Sequence, residues 1–98
     1  MRDGGTLIMY GIDPELNAWA TNHGLKIFTQ YKDEEVRSTD VMGSSGKKCQ
    51  IWVEPSYFFT FVINVWDYKK RRVRLRAWKI NIGSKLEEAY WTAQAWLK

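Results

Sequence analysis

Residues 57–82 carry two period-two runs back to back, and that arrangement leaves such a chain few folds to choose from. In "YFFTFVINVW" (57–66) the odd positions Phe59, Phe61, Ile63 and Val65 are all apolar. The even positions Phe58, Thr60, Val62, Asn64 and Trp66 are mixed. In "RRVRLRAWKINI" (71–82), Val73, Leu75 and Ala77 alternate with Arg72, Arg74 and Arg76. Successive side chains of a strand point to opposite faces, so both runs predict strands with one face on a core. The polar stretch Asp67 to Lys70 between them is short enough for a turn, which makes the pair an antiparallel hairpin.

Further strands are expected upstream. "LKIFTQYK" (25–32) alternates in the same way, and "DEE" (33–35) reads as a turn after it. Residues 36–42 make a short strand candidate, "MGSSGKK" (42–48) a loop, and "CQIWVE" (49–54) a strand that Pro55-Ser56 interrupts. Two helices frame this run. Asp13 as cap, Pro14 at the first helical position and Glu15 on the positive end of the dipole start one, and Gly24 stops it. Its Leu16, Trp19, Ala20 and His23 fall on one face. "SKLE" reads as a capping box of Ser84 and Glu87 opening the other, along which Leu86, Ala89, Tyr90, Ala93, Trp96 and Leu97 share a side.

The expected fold is therefore α+β, a two-layer sandwich with helices 13–24 and 84–97 on an antiparallel sheet of three or four strands, five at most, in the order α-β-β-β-β-α. Residues 1–12 are expected to be a flexible tail or a short strand, and 13–98 one α+β domain. The predicted core is Phe59, Phe61, Ile63, Val65, Val73, Leu75, Leu86, Tyr90, Ala93 and Leu97.

Charge is distributed unevenly. Residues 67–79 hold seven of the fifteen lysines and arginines against one acid, Asp67, for +6; the rest, eight basic and ten acidic, carries −2. On a strand Arg72, Arg74 and Arg76 project together about 7 Å apart, close to the spacing of phosphates along a nucleic-acid strand, and each guanidinium is a planar fork suited to phosphate or carboxylate. Trp78 continues that face, and Lys69 and Lys70 sit at the turn, so rings for stacking lie beside the charges. The function predicted is a small non-catalytic binding module in which Lys69, Lys70, Arg72, Arg74, Arg76 and Trp78 contact nucleic-acid phosphates. The alternative is a protein-interaction or inhibitor module whose partner is an acidic protein or a second copy, docking through the stripe, a strand edge or Trp91. A third reading makes the arginines a solvated coat that keeps an exposed strand from pairing with other chains.

Catalytic vocabulary is sparse. One histidine, His23, and one cysteine, Cys49, with no carboxylate pair placed for acid–base work, predict a protein that is not an enzyme and needs no cofactor or metal. His23 is expected at the end of its helix or the core rim, and Cys49 on a core-facing strand side. "GSSGKK" (43–48) departs from a phosphate-binding loop, because Val41 stands at the outer glycine and Lys48 at the Ser/Thr. A single cysteine needs no oxidising compartment, and the apolar runs are too short for a signal peptide or a membrane span, so cytoplasmic residence and no membrane partner are expected.

The order helix, strands, helix resembles double-stranded RNA-binding domains, as does "PELNAWATNHGLK" (14–26) their first helix. That family places a lysine cluster at the start of its last helix, where this chain has Lys85 alone and then Glu87 and Glu88. No site residue is carried over from the resemblance.

Overall fold

The structure is a computed structural model that describes residues 11–29 and 35–98. Helix α1 (Asp13–Asn22) is followed by strands β1 (Arg37–Met42), β2 (Lys48–Pro55), β3 (Thr60–Trp66) and β4 (Arg72–Trp78), and then by helix α2 (Ile82–Trp96). The strands pair in sequence order, all antiparallel, so among the described residues β1 and β4 form the two edges. This is the α+β order α-β-β-β-β-α expected from the sequence.

Registers such as Thr39 with Ile51, Ile51 with Val65, Val53 with Ile63 and Ile63 with Leu75 put one side of every strand on the same face. That face joins Ile51, Val53, Phe61, Ile63, Val65 and Ala77 to Leu16, Trp19, Leu86, Ala89 and Ala93 of the helices in one core. Each fully buried Ile, Leu or Val there contributes about 1.5–3 kcal/mol. Val73, Leu75 and Tyr90 pack at its margin, half-buried. The opposite face carries Ser38, Gln50, Trp52, Val62 and Asn64, all buried as well.

Helix α1 starts at Asp13 with Pro14 in its first turn, but Ile12 is the N-cap and Asp13 makes no cap bond. The Asp13 carboxylate instead meets buried Arg37, with Arg37 Nε donating to Asp13 Oδ1 at 3.3 Å. His23 is the C-cap, and Gly24 follows in the left-handed region at φ 66°, where a missing Cβ costs nothing.

Several expectations are corrected. Of the strand expected at 25–32, the described residues 25–29 form one bridge: Phe28 and Ser38 exchange backbone hydrogen bonds of 2.8 and 3.0 Å. Leu25 and Ile27 are drawn onto the core instead. Residues 30–34, and with them the rest of that strand and most of the acidic turn, lie outside the described residues, as do 1–10. Of the segment 1–12, Gly11 is exposed and Ile12 fully buried.

Tyr57–Phe59 is not strand but a tight 3-10 turn with Phe58 and Phe59 at φ 57° and 61°. Pro55 pairs with Phe61, so the residues between them must reverse the chain. Ser56 N–H donates to Thr60 O at 2.8 Å, and the Thr60 hydroxyl donates to Tyr57 O. Phe59, expected in the core, is 91% exposed. At the same end of the sheet, β4 stops at Trp78, the partner of Thr60, rather than at Ile82, because Trp78 N–H donates to Asn81 Oδ1 at 2.7 Å and Lys79–Asn81 turn in a 3-10 arc. Helix α2 therefore begins at fully buried Ile82, two residues before the expected start. Ser84 and Glu87 lie within it and form no capping box; Glu87 reaches His23 and Trp91 instead.

Candidate functional site

Strand β4 alternates as expected: Arg72, Arg74, Arg76 and Trp78 are exposed, while Val73 and Leu75 are half-buried and Ala77 is buried. The six candidate residues do not form one cluster but a line. Lys69 and Lys70 stand exposed at the β3–β4 turn, the three arginines follow along the edge strand, and Trp78, half exposed, ends it. From Arg72 to Trp78 that line spans about 20 Å.

Two of the three guanidiniums are held by neutral groups. Arg72 lies over the Trp52 ring at 5.4 Å, and Arg76 Nη1 donates to Ser56 Oγ at 3.1 Å and Thr60 Oγ1 at 2.9 Å. Arg74 makes no hydrogen bond or ion pair among the described residues. None of the three meets a carboxylate there, so their charges remain available to a ligand while two of the side chains are pre-positioned. The acids nearest on that face are otherwise engaged. Glu54 Oε2 accepts from Trp52 Nε1 at 3.2 Å and Asn64 Nδ2 at 3.1 Å, and Asp40 accepts from the Tyr68 hydroxyl at 2.6 Å.

Arg71, adjacent in sequence, has a different task. Asp67 accepts from the N–H groups of Lys69 at 2.8 Å and Arg71 at 3.1 Å and from Arg71 Nε at 3.0 Å. Desolvation works to raise the Asp67 pKa, but these donors and the guanidinium charge outweigh it and hold the carboxyl below its ordinary range. This closes the β3–β4 turn, in which Tyr68 adopts φ 67°.

The opposite end of the sheet is apolar. Tyr57, Phe58 and Phe59 from the β2–β3 turn, Trp78 from the end of β4 and Ile80 beyond it are all exposed, Ile80 to 96%. Sequence reasoning missed this cluster because it assigned the three aromatics to a strand and Ile80 to the continuation of another. Pro55, next to the aromatic run, was the available signal.

His23 and Cys49, the two groups with nucleophilic or general-base chemistry, are apart. His23 Nε2 lies 2.6 Å from Glu87 Oε2, and its ring stacks on Tyr90 at 3.7 Å. Trp91, 59% exposed, covers the edge of that pair and donates to Glu87 Oε1 at 3.2 Å. Cys49 is fully buried under α2, with its Sγ 3.9 Å from Ala93 O; burial pushes its thiol pKa up, Asp67 adding to the rise and Arg71 opposing it. Ala93 stands about 9 Å further along the helix than Glu87. Among the described residues no three His, Cys, Asp or Glu side chains gather where a metal ion could be held. No helix among them is long and apolar enough to cross a membrane.

Comparison of the chain with protein-family models, with curated proteins and with solved structures finds no match.

Proposed function

We propose that the protein is a non-catalytic binding module that engages the phosphates of a nucleic-acid strand along β4. The observation that carries this reading is the line of Arg72, Arg74 and Arg76, exposed at every second residue of an edge strand and contacting only neutral partners. Forks about 7 Å apart, those of Arg72 and Arg76 held by neutral partners, match a polyanion better than a point charge, and Trp78 at the end of the line offers a ring for base stacking. Lys69 and Lys70 extend the positive field past the turn.

Titration of labelled single- and double-stranded oligonucleotides at two salt concentrations tests this. Contact with three to five phosphates makes the logarithm of affinity fall with the logarithm of salt at a slope of about −3 to −4, and the Arg72→Ala, Arg74→Ala, Arg76→Ala triple variant flattens it. Absence of binding at about 50 mM salt overturns the reading, since even non-specific affinities of about 10⁻⁴–10⁻⁶ M survive higher salt.

A second reading has its own observation. The exposed Tyr57, Phe58, Phe59 and Ile80 adjoin Trp78 and Arg76, and an aromatic centre with an arginine rim is the composition of a protein interface. The partner would then be an acidic protein laid across the same arginines. Its signature is a shallow salt dependence and loss of binding in Phe58→Ser, Phe59→Ser, a variant that leaves the oligonucleotide slope unchanged.

A further inference from the structure

Three chain segments meet at the end of the sheet away from the aromatic cluster. The β1–β2 turn, the β3–β4 turn and the C-terminal end of α2 border an open cleft of about 350 Å³, within the roughly 300–1,000 Å³ of ligand pockets. Its construction is specific. A Cβ on Gly43 would meet Leu97 Cβ at 3.0 Å and Leu97 O at 3.2 Å, so the β1–β2 turn rests closely against the helix end and a side chain there would have to displace it by a few tenths of an ångström. From the other side Arg71 bridges turn and helix, with Nε on Asp67 and Nη2 donating to Trp96 O at 3.1 Å.

The lining is strongly cationic. Lys47, Lys48, Lys69 and Arg71 line the cleft together with one carboxylate residue, Asp67. Arg71 is paired with Asp67 and Lys48 lies 4.0 Å from Asp40, which leaves Lys47 and Lys69 without an ion-pair partner among the described residues. Two uncompensated positive charges correspond to a phosphate monoester, which carries about −1.5 to −2 at pH 7. Arg71 adds direction: two of its five N–H donors are committed, and the other three remain on a guanidinium held at both ends. Trp96, whose ring carries the Arg71 guanidinium at 5.1 Å, Tyr68, whose ring carries Lys48 Nζ at 4.9 Å, and Leu97 line the cavity beside this rim.

We infer that this cavity binds a phosphate monoester with a flat apolar body, of the size of a nucleoside monophosphate. The phosphate sits between Lys47, Lys69 and the free edge of Arg71, and the body lies along Trp96 and Tyr68. Nothing in this assignment requires the arginine line to bind nucleic acid, because Arg72, Arg74 and Arg76 take no part in the cavity and Lys69 is the one cation the two sites share.

The test is a titration of the ¹⁵N-labelled protein with adenosine monophosphate, with adenosine and inorganic phosphate as separate arms. Expected are saturable shifts at the amides of Gly46, Lys47 and Lys69 and at the Trp96 indole, with a Kd below about 1 mM. Phosphate alone moves the amides but not the indole, and adenosine alone moves neither. The Lys47→Ala, Lys69→Ala variant, whose altered side chains are exposed, weakens the nucleotide by about tenfold with an unchanged far-ultraviolet spectrum. The Arg72, Arg74, Arg76 triple alanine variant leaves the nucleotide titration intact. No saturable shift, equal response to adenosine, or a double variant that binds as the parent does would each overturn the inference. Failure of the oligonucleotide titration alone would leave it standing.

Discussion

Phe59 and Phe61 carry the same side chain two residues apart, and strand periodicity puts them on one face; yet Phe59 is 91% exposed and Phe61 7%. The boundary between Tyr57–Phe59 and Thr60–Trp66 is where the backbone enters the sheet. Beyond it every residue from Thr60 to Val65 is buried, including Asn64; before it three large aromatics stand in water. Burial in this stretch is decided by the reversal that Pro55 and Phe61 must frame, and hydropathy has no vote until the ladder begins.

The contrast is most sharply broken or upheld by paired truncations. Phe61→Ala opens a void in the core and is expected to cost about 3–5 kcal/mol in chemical denaturation. A loss under about 1 kcal/mol would mean that β3 presents its other side to the helices. On that other side, Glu54→Ala removes the acceptor of fully buried Asn64 Nδ2, at an expected cost of about 1–3 kcal/mol read from the same denaturation curves. Parity with the parent would show Asn64 reaching solvent. Phe59→Ala should fall within about 0.5 kcal/mol of the parent, as for surface positions generally, and a larger loss would make the turn part of the core.

The turn at the far end of β3 gives the smallest effect and a different dependence. The β2–β3 turn is closed by backbone and hydroxyl groups, which do not titrate in acid, whereas the β3–β4 turn is closed by the Asp67 carboxylate. Because the Asp67 pKa is lowered from its ordinary 3.8, its contribution to stability is complete above that value and is lost as pH falls through the folded-state pKa. Amide shifts of Lys69 and Arg71 should therefore titrate below about pH 4 while those of Ser56 and Thr60 stay still. An Asp67 midpoint above 4 would contradict the hydrogen bonding described.

Most of the architecture was legible because it rests on period alone. Phe61, Ile63 and Val65 alternate without exception, Val73, Leu75 and Ala77 do the same, and the stripe from Leu86 to Leu97 has helical spacing; each element formed where its pattern lies. Boundaries were lost where a local hydrogen bond competed with the pattern. Asn81 accepting from Trp78 ended β4 early and moved the start of α2 forward, whereas Ser84 and Glu87 matched a cap motif that a buried Ile82 had already placed inside the helix. The alternation of 25–32 was real, but among its described residues only Phe28 found a strand partner. As for the site, the exposure of Arg72, Arg74 and Arg76 followed from alternation. That Arg71 belongs to a separate cavity did not, since it depends on Trp96, twenty-five residues away, coming to rest beside the turn.

The sequential order of the sheet also bears on how the molecule assembles in time. Each ladder joins strands that are neighbours in the chain, so every pairing closes a short loop at little entropic cost and the meander is able to zip from hairpin to hairpin. Seating α1 against α2 is another matter: His23 must find Glu87 across 64 residues. Hairpin formation is thereby placed early and helix docking late. Substitutions within β2 and β3 should then slow folding, whereas His23→Ala or Tyr90→Ala should leave the folding rate nearly unchanged and hasten unfolding.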